Sequence, residues 1–181
     1  VAVTRRPVVA VIATGDELVM PGDDPGPDQF ISSNSVGLKA LFEAAGAEVR
    51  LLPIARDRPE SLAATFDLAV GADLLVTIGG ASVGDYDIVR TTAGAQGLAL
   101  EFHRIAMRPG KPLLVGRLGR MPLVGLPGNP VSAMVTARVF VVPAIERMLG
   151  LPGTPPPRST ATLVAEVEAN GPRTHFMRAR V

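Results

Sequence analysis

The apolar positions of this chain follow two alternating rhythms. Residues 8–14, VVAVIAT, make a β-branched run closed by Gly15, which predicts a strand. Residues 33–46, SNSVGLKALFEAAG, carry apolar side chains at helical spacing, with Ser or Asn available as the cap and Gly46 as the stop. EVRLLPIA (48–55) predicts a second strand, and RPESLAATFDLAVG (58–71) a second helix with Pro59 early and Gly71 late. ADLLVTIGG (72–80) is apolar nearly throughout, as expected of a strand covered on both faces. A short helix within 85–97 follows, then strands at 99–107, 111–118 and 121–128. A long helix at 129–150, kinked at Pro143, closes the series. This alternation predicts an α/β fold: a mostly parallel sheet with helices on both faces, whose ligands belong at the carboxyl ends of the strands.

The rhythm changes after Gly150. LPGTPPPRST is rich in Pro and Gly and reads as an extended linker. TATLVAEVEA (160–169) and THFMRARV (174–181) read as strands of a new β module. The expected organisation is an α/β domain at 1–150, a linker at 151–158, and the start of a second, β domain at 159–181. The chain opens on VAVTRRP without an initiator Met, as expected of a piece of something longer.

Composition narrows the function classes. Apolar residues make up 47% of the 181, enough for a packed core built on Val, Leu, Ile and Ala. Aromatics are 4% and Trp is absent, which speaks against reading single-stranded nucleic acid by stacked aromatics. The net charge of +1 comes from 18 basic and 17 acidic residues with no long basic run, so neither nucleic acid nor a membrane surface is an expected partner. The absence of Cys excludes disulfides, thiolate metal sites and a cysteine nucleophile, and fits a cytoplasmic protein. No apolar stretch approaches the roughly 20 residues of a membrane span.

Five loops follow the predicted strands at one edge of the sheet: TGDEL (14–18), ARDRPE (55–60), GGASVGDYD (79–87), MRPGKP (107–112) and GLPGNPVS (125–132). Glycines let backbone N–H groups approach an anion, and helix N-termini present unpaired donors. Arg108 and Lys111 add positive charge there; Asp16, Glu17, Asp57, Asp85 and Asp87 add negative charge. Acid and base together suggest a phosphate held with a divalent metal such as Mg²⁺. Each loop has a plainer alternative. GGASVG lacks the Gly-x4-Gly-Lys-[Ser/Thr] of a P-loop, TGDEL can be an ordinary turn, and Asp57 a helix N-cap. RPGKP can be a tight turn with a solvated Lys111. His103 and His175 have no metal spacing, and Ser132 has no His–Asp pattern around it.

The motifs ATGDEL, SSN, RD, GGASVGDYD, RPGKP and LPGNPVSA, in that order, resemble the MoeA-type molybdopterin molybdenumtransferases, whose animal relative is the gephyrin E domain. The resemblance covers residues 7–150, the family's molybdopterin-binding domain with its MogA/MoaB-like fold, and continues into the start of its C-terminal β-barrel. It implies molybdenum cofactor biosynthesis: molybdate inserted into adenylylated molybdopterin with Mg²⁺ and release of AMP. It implies Glu17, Asp57 and Asp87 around the metal and nucleotide, with Asp57, Asp87 and Lys111 as catalytic residues. Gly79, Gly80, Ser82 and Gly84 would wrap the pterin phosphate, and Thr14 and Gly15 would be cofactor-binding as well. Lys111, Pro112 and Ser132 would line the molybdate pocket, with Pro127 and Pro130 in the rigid loop beside it and Arg108 as a further cofactor-binding residue. Arg108 stands where many relatives carry Lys, and a fork replaces a point charge. GPRTHFMR (171–178) resembles the family's GR-x-E-F-x-R, with Arg173 and Arg178 at the arginines and Pro172 and His175 departing from it. The resemblance further implies a homodimer whose second protomer completes the active site, so that this fragment alone turns over poorly. A molybdopterin adenylyltransferase and a scaffolding module remain alternatives; the LPGNPVSA loop, the linker and the TGDEL form favour insertion. Molybdopterin adenylyltransferase and molybdoenzymes are expected protein partners.

Overall fold

The structure is a computed structural model; it describes residues 1–79, 86–153 and 158–180, without the side chains of Tyr86 and Asp87. In chain order its elements are β1 (Val8–Ala13), β2 (Leu18–Val19), β3 (Phe30–Ile31), α1 (Ser33–Ala44), β4 (Glu48–Leu51), α2 (Pro59–Leu68) and β5 (Leu74–Ile78). Then come α3 (Tyr86–Ala95), β6 (Leu98–His103), β7 (Met107–Arg108), β8 (Leu114–Leu118) and β9 (Met121–Leu126). A last helical run holds α4 (Pro130–Thr136), a π-helical stretch Ala137–Val141 and α5 (Val142–Met148), and β10 (Thr174–His175) ends the series.

The main sheet runs β4–β1–β5–β9–β8–β6. β4, β1, β5 and β9 are parallel, and β8 lies antiparallel to both β9 and β6. The mostly parallel α/β architecture expected from the sequence is thus the one observed. β8 runs the other way because only Gly119 and Arg120 separate it from β9, and a hairpin that short cannot join parallel strands. The all-buried strands β1 and β5 sit in the middle of the sheet, while β4 and β6 form its half-exposed edges.

Successive side chains on a strand face opposite ways, and the core divides accordingly. Val9, Val11, Leu74, Val76 and Ile78 pack with Leu38 and Phe42 of α1 and Ala133 and Ile145 of the last helical run. Ala10, Ile12 and Leu75 face the other side, against Leu62 and Phe66 of α2 and Val89 and Ala93 of α3. A continuous apolar run therefore serves two separate cores.

Three boundaries differ from expectation for local reasons. The strand expected at 99–107 stops at His103, because Arg104 takes a φ of 62° that no strand accommodates. The helix in which a kink is expected at Pro143 widens just before it: the Val142 N–H bonds to Ala137 O, a π-type step, across the turn where the proline ring would crowd the Val139 carbonyl. The alternation in 160–169 does not form a strand. A strand needs a partner edge, and among the described residues beyond 157 only Thr174–His175 finds one, beside β7. No helix among the described residues is long and apolar enough to cross a membrane.

The start of β1 is fixed from outside. Arg5 donates to Asp73 through Nη1 at 2.7 Å and Nη2 at 2.5 Å, and the Val8 N–H donates to the same carboxylate at 2.7 Å. The Arg5 hydrogen bond, supported by that of Val8 and opposed by partial desolvation, holds the Asp73 carboxyl below its usual range. Because the folded pKa is lowered, the contribution is complete above the unfolded carboxylate pKa and disappears as pH falls through the folded value. Asp73→Asn is expected to flatten the loss of stability below about pH 4, measured as urea midpoints from neutral pH downward. An unchanged acid limb would mean that Asp73 does not set the acid sensitivity.

Candidate functional site

Described residues from each of the five loops line a cleft of about 740 Å³ at the carboxyl edge of the sheet. Its floor is made where β1, β5 and β9 end. The Thr14 N–H donates to Ile78 O at 2.8 Å and the Gly15 N–H to Ala55 O at 3.1 Å, extending β1 between both neighbours. The Gly79 N–H donates to Leu126 O at 3.1 Å. Gly79 has φ 98°, and a Cβ there would lie 2.6 Å from Thr14 O. A Cβ on Gly128 would in turn lie 3.3 Å from the Gly79 Cα. Three loops therefore touch backbone to backbone, which only glycine permits.

Two helix N-termini open into this space. At α1, Ser32 and Ser35 are buried and linked Oγ to Oγ at 3.0 Å, while Asn34 Nδ2 donates to Gly128 O at 2.7 Å and ties α1 to the loop after β9. At α4, Asn129 is the cap: its Oδ1 accepts from the Ser132 N–H at 3.1 Å and from Ser132 Oγ at 3.3 Å, with Pro130 in the first turn. N–H groups left over at such ends favour an anion.

The acidic side of the cleft is built by the loops after β1 and β4. The Asp57 N–H donates to Asp16 Oδ1 at 3.2 Å, and the Asp16 N–H donates to Asp57 Oδ2 at 3.3 Å. Arg56 Nη1 binds the carbonyls of Asp16 at 2.9 Å and Leu18 at 3.1 Å, so one guanidinium holds the whole TGDEL turn. Arg58, not Asp57, occupies the cap position of α2. The Glu17 carboxylate folds back over Gly15, where a Cβ would lie 2.5 Å from Oε2. Glu17 and Asp57 both line the cleft. Among the described residues no three acidic or histidine side chains form a ready metal cage. Two carboxylates in one cleft with two helix N-termini nonetheless fit Mg²⁺, which is commonly held by one or two carboxylates, substrate phosphates and water.

Of the residues singled out from sequence, Thr14, Gly15, Glu17, Asp57, Gly79, Pro112, Pro127, Pro130 and Ser132 line the cleft together. Lys111 is exposed; its carbonyl accepts from the N–H groups of Ile105 and Leu113, and its neighbour Pro112 reaches the cleft. Arg108 is turned elsewhere: β7 pairs with β10, setting Arg108 opposite His175 and beside Arg173 in a separate cavity of about 230 Å³. Gly80, Ser82, Gly84 and Asp85 lie outside the described residues; Asp87 is described only in its main chain, as part of α3. Sequence reasoning did not single out Arg56, Asn129 or Phe30. Asn129 was the most accessible of these, since Asn followed by Pro before an apolar helix is a cap signature.

Residues 10–147 match the sequence profile of the family described as probable molybdopterin binding domain. The chain belongs to that family. Other relatives of this molybdopterin-binding domain agree. The chain is 40% identical over 183 aligned residues, 98% of its own length, to molybdopterin molybdenumtransferase 2 of Mycobacterium tuberculosis, and covers 45% of that protein. It is 42% identical over 155 residues, 83% of its length, to the molybdopterin molybdenumtransferase of a Nostoc strain, covering 36% of it. The crystal structure of the molybdopterin biosynthesis MoeA protein from Pyrococcus horikoshii superposes with a TM-score of 0.74 at 37% identity, over 81% of this chain and 36% of that one. The chain spans less than half the length of the curated relatives it matches.

Proposed function

We propose that the protein to which this chain belongs inserts molybdate into adenylylated molybdopterin and releases AMP with Mg²⁺. The supporting observation is the cleft itself, where glycine turns and two helix N-termini suited to phosphate share one space with Glu17 and Asp57. The backbone N–H groups at the α1 and α4 ends would hold the pterin phosphate without reorganising during reaction. Glu17 and Asp57, with Asp87 at the start of α3, would hold the Mg²⁺, which when bound would neutralise charge on the anhydride and polarise it toward water. Arg56 would keep the TGDEL turn rigid and the acidic pair aimed at the same point. Lys111 would draw the molybdate dianion toward Pro112, Pro127, Pro130 and Ser132, while Arg108, in its separate cavity, would take no part. Residues 159–181 would begin a β domain, and the full-length protein would act as a cytoplasmic homodimer.

Calorimetric titration with adenylylated molybdopterin, with and without Mg²⁺ and beside AMP alone, tests this. Binding is expected to need Mg²⁺ and to weaken with Asp87→Ala. Mg²⁺-dependent AMP release is expected from the full-length protein; release unaltered by Asp87→Ala would sink the metal assignment, and no release at all would sink the reaction.

A further inference from the structure

The cleft has two chemical halves. The strand-end half is polar, with Thr14, Asn34 and Asn129 around close backbone turns. The other half is an apolar wall of Leu18, Phe30 and Ile31, carried by β2 and β3, which pair in parallel where the chain leaves β1 and returns into α1. Phe30 is its most exposed member, at 66% of its surface, and the sole aromatic among the described cleft residues. Its backbone is pinned on both sides: the Phe30 N–H donates to Glu17 O at 2.8 Å and the Ser32 N–H to Val19 O at 2.9 Å. The neighbouring Val19 is buried, so this short segment has an inside, and the phenyl ring is held out of it.

A phosphate site beside an exposed aromatic ring suits a ligand with an anionic group joined to a flat heterocycle. We propose that Phe30 stacks on the planar nitrogen heterocycle of the ligand, while the glycine turns and helix ends take its phosphate. This rests on the function proposed above. Both ends of that substrate offer such a ring, the adenine and the pterin, and Phe30 lies one peptide hydrogen bond from Glu17, beside the place assigned to the phosphates. A ring face gives an offset-stacked contact that an aliphatic side chain of similar area does not.

The chain has no Trp, so Phe30→Trp places a single indole at the cleft mouth. Titrating this 181-residue variant with AMP and, separately, with molybdopterin is expected to quench its fluorescence saturably with one of them; quenching by AMP assigns adenine, and quenching by molybdopterin assigns the pterin. By calorimetry, Phe30→Ala and Phe30→Leu are each expected to weaken that ligand about tenfold, and Phe30→Tyr to retain wild-type affinity. Wild-type affinity in Phe30→Leu, or no quenching by either ligand, overturns stacking. AMP release measured in parallel on the full-length protein separates the two ideas. Release with Phe30→Ala binding unchanged removes Phe30 and keeps the reaction; quenching and tenfold weakening without release keep Phe30 and remove the reaction.

Discussion

Gly79→Ala is expected to lose about 3 kcal/mol of stability, the sum of a positive-φ penalty and an overpacked contact. The added methyl would stand 2.6 Å from Thr14 O and 2.9 Å from Thr14 Oγ1, and Thr14 cannot retreat because its N–H is bonded to Ile78 O. Gly71 supplies the control. It has φ 85° with nothing within 4 Å of an added Cβ, so Gly71→Ala carries the backbone penalty alone, about 1 kcal/mol. Urea midpoints of the two variants would separate the terms. Equal losses would mean that the three strand ends are not in backbone contact, and the cleft floor described above would be wrong.

Asp57→Asn is expected to slow AMP release by the full-length protein at least about a hundredfold, the scale of losing one electrostatic contact made to the reacting group. Asn keeps the size and an acceptor for the Asp16 N–H, so the acidic turn should hold its shape while its charge falls by one. The loss should appear in kcat and be partly offset by raised Mg²⁺, as for weakened metal holding rather than a collapsed site. A wild-type rate in Asp57→Asn would confine this carboxylate to shaping the loop. An equal loss in Asp16→Asn, whose carboxylate binds the Asp57 N–H but does not line the cleft, would likewise confine it to that role.

The two variants probe what was unequally legible in the chain. Gly79 could be marked from sequence because a glycine pair ends a buried strand and an acidic loop follows it, although such turns are common in α/β folds. Its contacts could not, because Thr14 and Gly128 are distant in sequence and meet it only when β1 and β9 flank β5. Asp57 was readable as either a cap or a ligand. The packing of two loops decided against the cap, by giving Asp57 the Asp16 backbone and leaving Arg58 at the head of α2. Arg108 and Lys111 stand three residues apart and looked like one basic patch. A short strand pairing with Thr174–His175 carries Arg108 into another cavity.

The sequence by itself determined the α/β alternation, the burial of β5 on both faces, and the gathering of glycines, acids and prolines in loops that follow strands. Those are local properties: side-chain spacing encodes which way each residue faces, and Gly or Pro encodes where the chain must turn. Only the tertiary structure decided the strand order, the splitting of one apolar run into two cores, the Arg56 clasp on the TGDEL turn and the exposure of Phe30 at the cleft. Each of these depends on which distant backbone supplies the partner for a given N–H or carbonyl, and that choice is made by the packing of the whole sheet.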